Sequence, residues 1–263
     1  MWPCHRVISV GNQGTCMAKS LRRSGHRANQ LLAALEPEDF AVLEPHLETV
    51  RLVKGTVVYE TGDRMPFVYF PQDAVVSLIT VLADGKTVEM AVLGREALFG
   101  LTSALATYRS LGRYVVQVTG TASSLDTAAL RRVFEVRPAV RELCLQFVEA
   151  LLAQALQSMA CNTVHSVEAR CCRWILTLHD RTGRDALPLT HEHLSAMLGV
   201  QRSTVSLVTG SLQEAGLIHQ GRGVITVADR LGLEQAVCGC YGIMRQRFEQ
   251  ILPRPERQGG SAA

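Results

Sequence analysis

The chain has 263 residues, 47% hydrophobic and 19% charged, with a formal charge of +3. That composition excludes a disordered chain and, at roughly 100–200 residues per domain, leaves room for one large domain or two ordinary ones. The charge is too mild to mark a polyanion-binding protein by itself, and arginine supplies most of the basic residues, since only Lys19, Lys54 and Lys86 are lysines.

Residues 1–27 scatter Gly, Asn, Gln, Ser and Arg without a period and are expected to form a disordered N-terminal extension, with Met17 as an alternative start. The opening residues lack the apolar stretch of a signal peptide. Leu31, Leu32 and Leu35, then Phe40, Val42, Leu43 and Leu47 beyond Pro37, read as short helices over 28–48. From 49 to about 126, runs rich in Val, Thr, Ile, Phe and Tyr alternate with Gly, Asp and Pro; 56–59, 67–70, 75–81, 88–92 and 114–118 are expected strands. Asp84-Gly85 between two such runs signals a tight hairpin. About six to eight short strands at this spacing predict an antiparallel barrel or jelly roll. The longest apolar stretch, Ala74 to Ala83, is broken by Ser77 and Thr80 and is about half a membrane span, so a cytoplasmic protein with no membrane partner is expected.

From about 126 to 182 the period becomes helical. Leu143, Phe147 and Leu151 mark one line, and Val148, Leu152, Ala155 and Met159 mark another. Two apolar lines on one helix call for burial on two sides. One side can cover the roll; the second predicts a homodimer through a helix at 138–162.

Residues 187–227 carry the strongest signal. Thr190 is a good N-cap before His191 to Leu198, Glu192 suits the first turn, and Gly199 is a good stop. A second helix runs from Arg202 to Ala215, with Val205 and Val208 spaced to pack on Leu194 and Leu198. This is helix-turn-helix spacing. Gln201, Arg202, Ser203, Thr204 and Ser206 then stand at the exposed start of the second helix, where side chains reach base edges and phosphates of double-stranded DNA. Gly221-Arg222-Gly223 between two β-prone runs places Arg222 at the tip of a hairpin, like a wing beside the backbone. The DNA-contact set is therefore Thr190, Gln201, Arg202, Ser203, Thr204, Ser206 and Arg222.

This order resembles the Crp/Fnr family of bacterial transcription regulators over roughly residues 28–240. The resemblance implies an α+β fold divided as follows: a β-roll effector-sensing domain at 28–137, a dimerisation helix at 138–162, a winged helix-turn-helix at 163–233, and a C-terminal helix with a flexible tail at 234–263. It implies a homodimer on a palindromic operator, RNA polymerase as a further partner, and a guanine-reading role for Arg202. Leu207 stands where some members place another arginine. The nucleotide-binding members carry Gly-Glu-Leu and then an Arg-Ser or Arg-Thr pair; here Gly100 is followed by Leu101, and Arg109-Ser110 is the remaining weak candidate for phosphate. The effector is therefore expected to be an unknown small molecule other than a cyclic nucleotide, because a buried phosphate without its cation is costly.

The eight cysteines form neither a disulfide framework nor a Cys-x-x-Cys motif, and the N-terminus offers only Cys4 and Cys16 for an iron–sulfur cluster. At least one of Cys171 and Cys172 is expected in a core. Cys238 and Cys240 are expected to be exposed, and the competing function is a redox-responsive interaction module that uses them, with little DNA binding. His191-Glu192-His193 is not a zinc-protease pattern and is expected to offer surface near the DNA; phosphate-loop, dinucleotide and nucleophile-elbow motifs are missing. No cofactor, metal ligand or catalytic residue is expected, and the chain is read as a non-enzyme.

Overall fold

Side chains two apart share one face of an extended strand, and the Val/Thr/Tyr runs use that period to enclose a core. The computed structural model describes residues 25–83, 85 and 87–252. A tight turn at His26–Ala28 leads into α1 (Gln30–Ala34) and α2 (Pro37–Leu43). Asn29 caps α1: its Oδ1 accepts from the amides of Leu31 and Leu32. Its Nδ2 donates to the carbonyls of Pro71 and Ala97 at 2.8 and 2.9 Å, which ties the entry helix to the roll. Then come β1 (Leu47–Leu52), β2 (Val57–Tyr59), β3 (Phe67–Pro71), β4 (Val75–Val81), β5 (Thr87–Leu93), α3 (Leu101–Leu105), β6 (Arg113–Val118) and β7 (Gly120–Asp126). They make two antiparallel sheets, ordered β1-β7-β3 and β2-β6-β4-β5. The expected hairpin joins β4 to β5 with Gly85 at φ +81°; Asp84 lies outside the described residues.

Three expectations need correction here. Leu47 opens β1 rather than closing a helix, and pairs with Leu125 of β7. Residues 25–27 belong to the fold: His26 Nδ1 bonds Ser123 Oγ at 2.7 Å, and Arg27 lies 4.4 Å from the centre of the Phe40 ring. The rest of the expected extension, residues 1–24, lies outside the described residues, as does the tail from 253. β7 escaped the sequence reading because it is polar: Ser123 and Ser124 are buried, and Ser123 Oγ also accepts from Gln72 Nε2 at 2.9 Å.

Past the roll, α4 (Thr127–Val136) runs into α5 (Pro138–Val164), one unbroken helix. Val140, Cys144, Phe147 and Ala150 are buried in the roll core, while Leu145, Leu152, Leu156 and Met159 are all more than half exposed. Of the two expected lines, the one through Phe147 faces the chain's own core and the one through Leu152 and Met159 faces out. By length and composition α5 is apolar enough to cross a membrane. Its covered face and the polar residues Arg141, Glu142, Gln146 and Glu149 instead leave a narrow apolar stripe, the signature of helix-on-helix packing.

The second half comprises α6 (Val167–Thr182), β8 (Ala186–Leu187), α7 (His191–Leu198), α8 (Arg202–Glu214), β9 (Ile218–Gly221), β10 (Val224–Val227), α9 (Arg230–Ala236) and α10 (Cys240–Glu249). Its core contains Trp174, Ile175, Leu194, Leu198, Val205 and Leu212, together with Val75, Val92 and Val118 of the roll, so the halves share apolar surface. The C-terminal segment is two helices. Phe248 of α10 is buried in the roll core, 6.3 Å from the Phe147 ring.

Candidate DNA interface

Thr190 caps α7 as expected, its Oγ1 accepting from the His193 amide at 3.1 Å. Gly199 ends α7 at φ +65°, a conformation most side chains resist. From α6, the buried Arg170 donates to the Leu198 carbonyl, placing a cation at the negative end of α7. Val205, Thr209 and Leu212 are buried on α8 and fix which face packs on α7. The opposite face presents Gln201, Arg202, Ser203, Ser206 and Leu207 to solvent, with Thr204 half-buried. β9 and β10 pair through Gly221 and Val224, leaving Arg222 exposed at the tip with Gly223 at φ +75°. β8 completes the sheet on the far side of β10.

His191 was read as surface near DNA; the structure makes it a hub. It is half-buried, with Nε2 at 2.8 Å from Gln220 Oε1 and 3.2 Å from Thr209 Oγ1. Its Nδ1 lies 3.1 Å from Ser206 Oγ. One imidazole therefore joins the start of α7, the middle of α8 and the wing. Gln213 Oε1 adds a second brace by accepting from the Gln220 amide at 2.8 Å. Ser206 is part of this brace and also donates to the Arg202 carbonyl at 3.1 Å, so its hydroxyl is already engaged. Ser206 and Thr209 stand three apart on α8 in the sequence; their convergence on His191 is not visible there.

On the roll side, Leu101 is 1% exposed and belongs to the core. Arg109 is exposed and donates to the Gly62 carbonyl at 2.9 Å, and the buried Ser110 donates to the Gly112 carbonyl at 2.5 Å. The interior holds an aromatic stack: Tyr69 on Phe99 at 4.8 Å and Phe99 on Tyr114 at 5.3 Å between ring centres. Leu101 thus offers no ribose acceptor, and Arg109 and Ser110 are engaged by the Gly62 and Gly112 carbonyls.

Charge concentrates instead where the roll meets the DNA-binding half. Arg181 of α6 donates to Glu96 Oε1 at 2.6 Å and to Gln154 Oε1 of α5 at 3.2 Å, all three buried. Arg95 reaches the Asp180 carbonyl at 3.0 Å. The Glu89 carboxyl is enclosed nearby, bonded by Ser77 Oγ at 2.6 Å through one oxygen and unpartnered at the other. Burial pushes it up to about 8, against the opposing pull of Ser77, Arg181 and Arg173. A cleft of about 770 Å³ opens at this junction, lined by Arg95, Glu96, Gln154, Arg173, Asp180 and Arg181 among others.

The cysteines meet one expectation and part from another. Cys171 and Cys172 are both fully buried, and burial pushes each thiol up to about 12, which suits packing and not reactivity. Cys238 and Cys240 are buried as well, so the solvent-facing thiol pair expected from the sequence does not exist.

A β-roll joined by a long helix to a winged helix-turn-helix defines a class of DNA-binding regulator, and sequence comparison gives the same division. Residues 49–137 match the family model for the cyclic nucleotide-binding domain, and residues 169–236 match that of the Crp-like helix-turn-helix domain. The chain is similar to the Global nitrogen regulator of Synechocystis sp., 26% identical over 204 residues, covering 74% of this chain and 89% of the relative. It is 24% identical over 217 residues to the CRP-like cAMP-activated global transcriptional regulator of Mycobacterium tuberculosis, covering 80% and 95%. Its fold resembles the solved structure of FixK2 from Bradyrhizobium japonicum, with a TM-score of 0.63 at 17% identity over 73% of this chain and 98% of the other. The chain belongs to the Crp/Fnr family of transcription regulators, whose members among these relatives are regulators and not enzymes.

Proposed function

We propose that the chain is a cytoplasmic homodimer that binds double-stranded DNA sequence-specifically at a palindromic operator. The observation that carries this reading is the exposed start of α8. Gln201, Arg202 and Ser203 stand free there beside a wing that presents Arg222, and among the described residues neither arginine makes a salt bridge. The uncovered row on α5, Leu145, Leu152, Leu156 and Met159, supports a two-fold partner through the same helix. Two α8 helices would then enter successive major grooves about 34 Å apart. Thr190, Thr204 and Ser206 support the same face, with Ser206 also bracing His191. RNA polymerase is the further partner of such a regulator at a promoter.

The effector in this reading is a small molecule other than a cyclic nucleotide. The buried Leu101 and the aromatic stack support this, although relatives from Mycobacterium tuberculosis and Thermus thermophilus are named as cAMP-activated or as a cyclic AMP receptor. The Glu96–Arg181–Gln154 contact is the path by which a change in the roll would reach α5 and α6.

Gel-shift titration against genomic fragments near the gene tests the reading. Arg202→Ala should cost about 1–3 kcal/mol per half-site and relax preference at one base pair. Arg222→Ala should weaken all sequences alike and reduce the salt slope by about one. Equal loss of specific and non-specific affinity in Arg202→Ala would show that this arginine does not read bases. No effect from either substitution would overturn the DNA-binding reading.

A further inference from the structure

Four soft donors converge where α5 ends. Cys161 lies in the last turn of α5, and His165 is its C-cap residue four positions on. Cys238 and Cys240 flank Gly239, Cys238 in the turn after α9 and Cys240 as the first residue of α10. The three sulfurs and a ring nitrogen of His165 all lie within 4.8 Å of one another. Cys161 Sγ and Cys238 Sγ are 3.5 Å apart, and Cys240 Sγ and His165 Nδ1 are 3.6 Å apart. A tetrahedral ion with Zn–S near 2.3 Å and Zn–N near 2.0–2.1 Å sets sulfur–sulfur edges of about 3.8 Å and sulfur–nitrogen edges of about 3.5 Å.

The surroundings suit thiolate. Gln157, one helical turn before Cys161, donates its amide to Cys240 Sγ at 3.0 Å. That is the outer hydrogen bond that orients a ligating sulfur. The three cysteines are buried with Ala169 and Val237 in a small cluster apart from the two main cores, and His165 closes the solvent side. Tight apolar packing alone would not bring four metal-ligating side chains from two distant segments to one point.

We propose that Cys161, His165 through Nδ1, Cys238 and Cys240 form a Cys3His site for a single zinc ion. A four-iron cluster binds each ligand at a different iron on the corners of a cube and needs donors farther apart than these. Zinc binding converts three thiols to thiolates, releases their three protons to solvent, and needs no oxidant. The ion ties the end of α5 to the turn that follows the winged helix. It is therefore a clasp that holds the DNA-binding half on the helix that crosses to the roll. Only the consequence for DNA affinity rests on the proposed function; the site itself does not.

The test uses the full chain, purified reduced in the presence of zinc and then freed of loose metal. Elemental analysis should give one zinc per chain, and X-ray absorption at the zinc edge should count three sulfurs and one nitrogen. Replacement by cobalt(II) should give strong visible bands of a tetrahedral site and thiolate-to-cobalt charge transfer. Cys161→Ser, Cys238→Ser and Cys240→Ser should each lower that charge-transfer intensity by about a third, while Cys144→Ser, buried against the roll, leaves it unchanged. Gln157→Leu should weaken zinc binding about tenfold or more with the ligand count kept. Chelation should speed amide hydrogen exchange at 161–166 and 237–241. The absorption measurement needs no variant, so misfolding of the serine proteins does not blunt the test. A zinc-free chain, a six-coordinate cobalt spectrum without charge transfer, or a Cys161–Cys238 disulfide in its place would overturn the proposal.

Discussion

Leu101 in the roll and Leu207 on α8 both stand where the sequence resemblance leads one to expect a charged residue, and the two positions differ in kind. Leu101 is 1% exposed, packed inside with Phe99 and the rest of the roll core. Leu207 is 77% exposed on the face of α8 that packs on nothing. In the roll, position 101 is part of the core, and a charge there would stand against the packing around it. On α8, the scaffold is indifferent to what position 207 carries. A core position in the roll is thus held by its packing, whereas an exposed position on α8 can change its chemistry at almost no cost to the fold.

The sharpest break of this comparison is Leu101→Glu. A carboxylate there has no cation beside it, and unfolding in urea should show a loss of about 3–5 kcal/mol, without any gain of cyclic AMP binding by calorimetry. Retained stability or saturable nucleotide binding would mean that the roll still accommodates the family's ligand.

Glu89, also in the roll, shows what an enclosed carboxyl does there. Its pKa is raised to about 8 by burial, so the folded chain keeps a proton that the unfolded chain gives up above the ordinary carboxylate range. Stability contributed by that proton is present at low pH and is lost as pH rises toward 8. Between pH 5 and 8 the wild-type urea midpoint should fall by the equivalent of about 3 kcal/mol from this group, and Glu89→Gln should remove that part of the slope. Parallel pH profiles for the two proteins would show that the carboxyl is ionised in the fold.

Between the two regions, Leu156→Glu on the outer face of α5 should leave the urea midpoint of the isolated subunit within about 0.5 kcal/mol. The same substitution should weaken self-association by about 2 kcal/mol or more, read by light scattering across concentration. A wild-type monomer at micromolar concentration would refute the two-fold reading outright.

The smallest expected change in stability belongs to Leu207→Arg. It should stay within about 0.5 kcal/mol of wild type in urea and raise the salt slope of DNA binding by about one. A large loss of stability would mean that position 207 is covered in the working assembly.

Much of the winged helix was legible because its signals are local. The Thr190 cap, the Gly199 stop, the apolar spacing of Leu194, Leu198, Val205 and Leu212, and the Gly-Arg-Gly tip all act within a few residues of where they are read. The strands of 57–59, 67–71 and 75–81 were legible through their β-branched and aromatic content. β7 was not, because its buried serines are satisfied far away in sequence, Ser123 by His26 and Gln72 and Ser124 by the Glu48 carbonyl. Leu47 was misread because one apolar residue at helical spacing cannot announce a partner strand that arrives some seventy residues later.

By itself, then, the sequence determined the elements whose capping, turn and packing preferences are satisfied within one segment, and through them the roll, the long helix and the winged helix. Tertiary structure alone decided which line of α5 is covered, that His191 braces the wing, that Glu96 meets Arg181, and that Cys161 and His165 meet Cys238 and Cys240. The physical reason is the same in each case. A buried polar or ligating side chain is satisfied only by a partner brought to it by packing, and chain spacing carries no record of which distant segment that will be.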